Sequence, residues 1–186
     1  MGETRANPAA VSGAITAPVL MVGWQIAPDE QRPFTTGCRL VVPNVLQRLG
    51  VGRDLVCLTT LVRTPLPVRS SDHRRLGPYG RSLWADIRSW GPRTVIFLGA
   101  PVACHVLDLE WETPISELRG ARYVWPGRTT TSFFVVQPPE DVDLAAKIVS
   151  PTTVEWVQDL RAIFEADTQH YREVRVLQGK SRTRRS

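Results

Sequence analysis

The sequence predicts a three-layer α/β/α domain with a mostly parallel central sheet. Three observations carry that prediction. Short apolar runs bounded by glycine or turn residues recur along the chain at 18–24, 54–62, 94–100, 121–127 and 132–136. Segments with a helical period fall between and after most of them. The runs are continuously apolar rather than alternating, as expected for strands covered on both faces. Strands alternating with helices pack best as a sheet sandwiched between two helical layers.

Each element has its own signal. "PVLMVGW" (18–24) is the first strand, closed by Gly23. "GCRLVVPNVLQRLGV" (37–51) places Leu40, Val41, Val45, Leu46 and Leu49 at helical spacing, with Pro43 confined to the first turn and Gly50 as the stop. "DLVCLTTLV" (54–62) is the second strand. Residues 64–80, rich in proline, glycine and arginine, read as a long surface loop. In "RSLWADIRSWG" (81–91), Leu83, Trp84, Ile87 and Trp90 share one helical face. "TVIFLGA" (94–100) leads into "PVACHVLDL" (101–109), a helix opened by Pro101. The strands "ARYVWPG" (121–127) and "SFFVV" (132–136) follow. The last helix is "SPTTVEWVQDLRAIFEAD" (150–167), with Val154, Val157, Leu160, Ile163 and Phe164 turned inward.

Length and charge frame the rest. The 186 residues suffice for one domain with a substantial core. Residues 1–17 read as a disordered N-terminal segment, 18–171 as the folded domain and 172–186 as a basic tail. That tail carries the whole net charge of +5, because residues 1–171 sum to zero. A basic tail suits salt-sensitive phosphate binding. No apolar run is long enough for a membrane span, and the start lacks the pattern of a secretory signal, so a cytoplasmic location is expected. Cys38, Cys57 and Cys104 are far apart, without the spacing of a zinc site or a disulfide framework, and read as small buried residues.

In parallel sheets ligands bind past the carboxyl ends of the strands. The corresponding loops begin at Gly23, Thr59, Gly99 and Gln137. Four segments there carry a family likeness. "LGA" (98–100) leads through a helix to "ISELRG" (115–120) and a predicted hairpin. "MVGWQIAPDEQRPF" (21–34) has a Val-Gly before a loop and a Pro-Phe after it. "LTTLVRTPLP" (58–67) and "VVQPPED" (135–141) complete the order. Over residues 18–166 the chain resembles the uracil-DNA glycosylase superfamily, nearest its family 4 and 5 branches. The resemblance implies a fold that binds DNA and extrudes a base.

It also implies roles, residue by residue. Phe34 corresponds to the aromatic that stacks on the flipped base, and Gln25 lies in the same base-binding loop. Trp24 stands where the family has its water-orienting acid. Thr60 replaces the base-reading Asn, and its one hydroxyl cannot make the paired contact. Gln137 replaces the His that stabilises charge on the leaving base; a neutral amide donates a hydrogen bond but cannot become a cation. Asp29 and Glu30 are the acids that could orient water instead. Those branches hold an iron–sulfur cluster on four cysteines, whereas this chain has three, with Thr64 at one cluster position, so no cofactor is expected. Arg63, Arg69, Arg74, Arg75, Arg182, Arg184 and Arg185 are the candidate DNA contacts, and His73 lies among them. Trp24, Trp111 and Trp125 are candidates for a stacking surface or for core filling.

The expectation is therefore a monomeric, glycosylase-like DNA-binding pseudoenzyme in repair, replication or modified-base recognition, lacking ordinary uracil excision. One alternative is an active DNA N-glycosylase for another base, using Asp29, Glu30 and Gln137. A second is an accessory module that meets a replication or repair protein through the tail and the tryptophans.

Overall fold

The computed structural model describes residues 11–26, 32–34, 40–63, 73–127, 129–142, 150–165 and 173–177, with the description of 73–75 limited to the backbone. The elements, in chain order, are β1 (Val11–Ser12), β2 (Val19–Gln25), α1 (Val41–Arg48), β3 (Val56–Val62), α2 (His73–Trp90), β4 (Thr94–Leu98) and α3 (Ala100–Leu107). They continue with α4 (Ile115–Leu118), β5 (Ala121–Val124), β6 (Ser132–Val136), a 3-10 turn at Pro139–Asp141, α5 (Pro151–Phe164) and β7 (Glu173–Val176).

Seven strands form one sheet in the order β1-β3-β2-β4-β6-β5-β7. The four central strands β3, β2, β4 and β6 are mutually parallel. β1 and β5 run antiparallel to their central neighbours, and β7 lies parallel to β5. The fold is a three-layer α/β/α sandwich, as the alternation of apolar runs predicts.

Side-chain alternation sorts the two layers. Leu20, Val22, Val95, Phe97, Phe133 and Val135 point to one face, where α2 and α3 cover them. Met21, Ile96, Leu98 and Val136 point to the other, under α1 and α5. On the α2/α3 face the aromatic rings interlock. Phe97 stacks on Phe133 at 6.0 Å between centroids, and Trp84 meets Phe133 edge-on at 5.6 Å and Trp125 at 5.4 Å. Trp84 also donates from Nε1 to the Val106 carbonyl at 3.0 Å, joining α2 to α3. Each such pair adds roughly 0.5–1.5 kcal/mol beyond the area buried.

Several sequence expectations are corrected. Helix α2 begins at His73, so 73–80, read as loop, is helical despite Pro78 and two glycines. Pro78 is exposed, and the start of α2 is tied down by His105: its Nε2 lies 3.1 Å from the Leu76 carbonyl, which can only accept, so the ring donates. Gly80 is required beneath that ring, since a Cβ there would fall 2.6 Å from Nε2. The first 17 residues are not wholly without structure, because Val11 and Ser12 pair with β3. Residues 173–177 are not tail: they add β7 beside β5, and Leu177 is buried. Arg175, counted with the tail charge, is spent on the fold, donating to the Glu117 carbonyl at 2.5 Å and to the Tyr123 hydroxyl at 3.1 Å. On α5, Val154, expected to face the core, is 44% exposed, whereas Trp156 fills the core as the helical spacing predicts.

The "ISELRG" segment makes a short helix and a turn at Gly120 (φ 74°). Arg119 leaves this turn to clasp α5, with Nε and Nη2 both 2.8 Å from Asp159 Oδ2 and Nη1 2.5 Å from Glu155 Oε2. Burial opposes the charge on Arg119, but the two carboxylates outweigh it and hold its pKa above the usual value. The motif thus fixes the β5–β6 hairpin against the last helix.

Candidate functional site

The parallel strands β3, β2, β4 and β6 end side by side, so Val62, Gln25, Leu98 and Val136 open onto one carboxyl edge. The strand order reverses between β2 and β4, where such sheets form a crevice. The sequence placed the start of two loops at Gly23 and Thr59. Both residues instead lie inside strands, which run on to Gln25 and Val62.

Gly23 is a glycine for a steric reason. A Cβ there would fall 2.7 Å from Phe34 Cζ, so the ring rests directly on the β2 backbone. Phe34 is 2% exposed and holds φ at 61°, a left-handed conformation unusual for a bulky residue. Strained backbone of this kind costs about 1–3 kcal/mol and clusters at functional sites. Gly23 pairs in register with Thr60, which places Thr60 on the same face, and Gln25 follows two residues on from Gly23. Two of the four predicted base-binding residues, Phe34 and Thr60, therefore share the α1/α5 face with Gly23, while Gln25 ends β2 in register with Val62, a residue of the α2/α3 cluster. Thr60 is fully buried and its hydroxyl donates to the Val62 carbonyl at 3.0 Å, which commits its proton inside β3.

Alternation turns Trp24 to the α2/α3 face, where it packs against the core and meets Trp111 edge-on at 6.4 Å. His105 approaches the same Trp111 ring at 6.4 Å. Trp24 and Trp111 remain half-buried, whereas Trp125 is core.

Gln137 follows β6, beside Gly99 at the end of β4. Gly99 (φ 105°) bonds to the Val136 carbonyl at 2.9 Å and packs close to Pro138. The Gln137 side chain is half-buried, and its backbone carbonyl accepts from Trp156 Nε1 at 3.1 Å, which ties this loop to α5. The next acids along the chain, Glu140 and Asp141, are exposed.

Arg63, a predicted DNA contact, turns back along the sheet instead of outward. It pairs with Asp86 and lies over the Trp90 ring, 5.8 Å from its centroid. Both partners of the ion pair are 12% exposed, so this guanidinium braces α2 against β3. Asp29, Glu30, Arg69, Arg182, Arg184 and Arg185 lie outside the described residues, as do the side chains of His73, Arg74 and Arg75. Cys57 and Cys104 are buried, and burial pushes the Cys57 thiol up to about 11 and raises that of Cys104, so neither is a nucleophile at neutral pH. The clues that sequence reasoning missed are contacts: Gly23 under Phe34, Gly80 under His105 and Arg119 on Asp159. A glycine inside an apolar strand is the one visible hint.

No known protein-family model matches the chain, and no curated protein matches its sequence. Among the described residues, no helix is long and apolar enough to cross a membrane, and no group of three or more His, Cys, Asp or Glu is placed to hold a metal ion.

Proposed function

We propose that this protein is a uracil-DNA glycosylase-like, DNA-binding protein that does not carry out ordinary uracil excision. One observation carries the reading. The segments that bear the family likeness, 21–26, 58–63, 98–100 and 135–141, belong to four adjacent parallel strands and converge on one edge of the sheet. An antiparallel β5–β6 hairpin directly after the "ISELRG" turn agrees with the same likeness.

The chemistry at that edge argues against excision. Breaking a base–sugar bond leaves positive charge on the sugar and negative charge on the base. Trp24 offers no carboxylate and faces the opposite layer. The Thr60 hydroxyl already donates its hydrogen bond to the Val62 carbonyl, and Gln137 supplies a neutral amide where a cation would be worth most. Removing a single preorganised donor to a developing anion typically costs about 10²–10³ in rate. Losses within one catalytic set do not simply add, but all of them act in the same direction.

The test is direct. Incubation with a duplex containing uracil, followed by alkali, is expected to leave the strand intact. A titration with the same duplex is expected to show binding that weakens steeply as salt rises. Rapid uracil release would overturn the non-excising part of the reading, and absence of DNA affinity at low salt would overturn the rest.

A further inference from the structure

A cleft of about 240 Å³ lies beside β7, on the Tyr123 face of the sheet, where the described chain stops at Leu177. Leu109, Leu118, Val176 and Leu177 give it apolar walls, and Glu110 and Arg175 also line it. Leu177 is fixed there: its side chain is buried and its amide donates to the Val124 carbonyl at 2.9 Å. The turn that carries Glu110 is fixed too, because the Thr113 amide and hydroxyl both donate to the Glu110 carbonyl, at 3.2 and 2.7 Å. The chain beyond Leu177 therefore begins at a cleft whose wall includes Glu110.

The unpaired charge around this cleft has one sign. Residues 108–118 contain Asp108, Glu110, Glu112 and Glu117 and neither Lys nor Arg. Asp108 is already engaged and is not counted. Glu110, Glu112 and Glu117 are exposed, and among the described residues none of their carboxylates forms an ion pair. The cations nearby do not offset them. Arg175 is held by both oxygens of Glu173, at 2.7 and 2.9 Å. Arg119 is taken up by Asp159 and Glu155. Arg122 points to the other face of β5, where it donates to the Ser132 hydroxyl. The three glutamates thus leave a formal charge of −3. Residues 178–186, "QGKSRTRRS", hold Lys180, Arg182, Arg184 and Arg185 and no acid, a formal charge of +4.

We propose that residues 178–186 dock along this cleft, within the same molecule, as a basic segment laid over Glu110, Glu112 and Glu117. Reach permits it: three extended residues span about 10 Å, which carries Lys180 from Leu177 to the Glu110 wall, and the arginines extend further. The carbon stems of Lys and Arg suit the apolar walls and leave the charged ends over the carboxylates. Single exposed ion pairs are weak, but a tethered segment meets its partners at high effective concentration, and several act together. Docked there, the tail is neutralised by the chain's own acids instead of an outside anion. The inference does not depend on the glycosylase-like reading.

The experiment is zero-length carbodiimide cross-linking of the full chain, read by mass spectrometry. It joins an amine to a carboxylate in direct contact, and Lys147 and Lys180 are the only lysines of the chain, so a Lys180 link is readily assigned. A link from Lys180 to Glu110, Glu112 or Glu117 within one molecule is expected. Arg182→Gln, Arg184→Gln and Arg185→Gln together leave Lys180 and every described residue unchanged. That variant is expected to lower the yield at least about threefold, and so is sodium chloride at about 1 M, because the attraction is electrostatic. A tail that met the glutamates only by tethered diffusion would give the same yield in all three samples. Mixing ordinary with isotope-labelled chains separates the other occupant: links found only between copies would assign the cleft to a second molecule's tail and overturn docking within one chain. No link from Lys180 to these glutamates, or a yield unchanged in the arginine variant or in salt, also overturns the proposal.

Discussion

The two faces of the sheet are made from the same strands and are used differently. Under α2 and α3 the aromatic rings interlock, and an indole bond to Val106 locks one helix to the next. Under α1 and α5 the core is mostly aliphatic around Trp156 and Phe34, a groove of about 800 Å³ lies beside α1, and Phe34 is held in a strained conformation. Adjacent residues express the contrast: Phe133 is fully buried in the ring cluster, while Phe134, facing the other way at 8% exposed, packs with Ala162 and Ile163. The lesson is a division within the core, with interlocked rings closing one layer while the other leaves room beside α1.

The largest expected effect tests that division at its centre. Phe133→Ala should cost about 3–5 kcal/mol in urea unfolding, since the surrounding rings cannot close the cavity. Phe134→Ala should cost about 2 kcal/mol, near the transfer value alone. Equal losses would break the comparison. A second measurement uses pH. Cys57 sits on the ring-packed face, and its folded-state pKa of about 11 exceeds the ordinary 9.0 mainly through burial. The folded chain keeps this proton after the unfolded chain has lost it. The thiol's contribution is therefore complete below about pH 9 and lost as pH rises through about 11, roughly 2–3 kcal/mol in all. Cys57→Ala should flatten that alkaline decline in unfolding midpoints measured across the same range.

The third prediction concerns the other face. Gly23→Ala drives a methyl into the Phe34 ring and should cost about 1–3 kcal/mol. If the contact is the cause, Phe34→Leu in the same chain should recover part of the loss, giving a coupling of about 0.5–3 kcal/mol in a double-mutant cycle. Additive losses would mean that Gly23 serves backbone freedom instead.

Much of the fold was legible because the strongest signals are local. Continuous apolar runs located the central strands, and Ser150-Pro151 marked the start of α5, where the serine hydroxyl accepts from the Thr153 amide. Where the reading failed, a distant partner overrode local preference. Pro78 and the glycines at 77 and 80 spell a loop until His105 arrives from α3 to anchor the turn. Glu173-Val-Arg-Val looks like part of a charged tail until β5 offers it an edge. The candidate site was legible only as an order of motifs. That residue 24 faces away from residue 23 is a period-two fact available from sequence, but that Phe34 rests on Gly23 needed the fold.

The hydrogen bond from the Trp156 indole to the Gln137 carbonyl has an optical consequence. That indole is wholly shielded from water. Its emission should therefore sit at short wavelength, and anything that pulls Gln137 away from α5 would let solvent reach it and move the spectrum to the red. The chain has six tryptophans, so the shift is read as the difference between the full chain and Trp156→Phe, which isolates the seam between the β6 loop and the final helix.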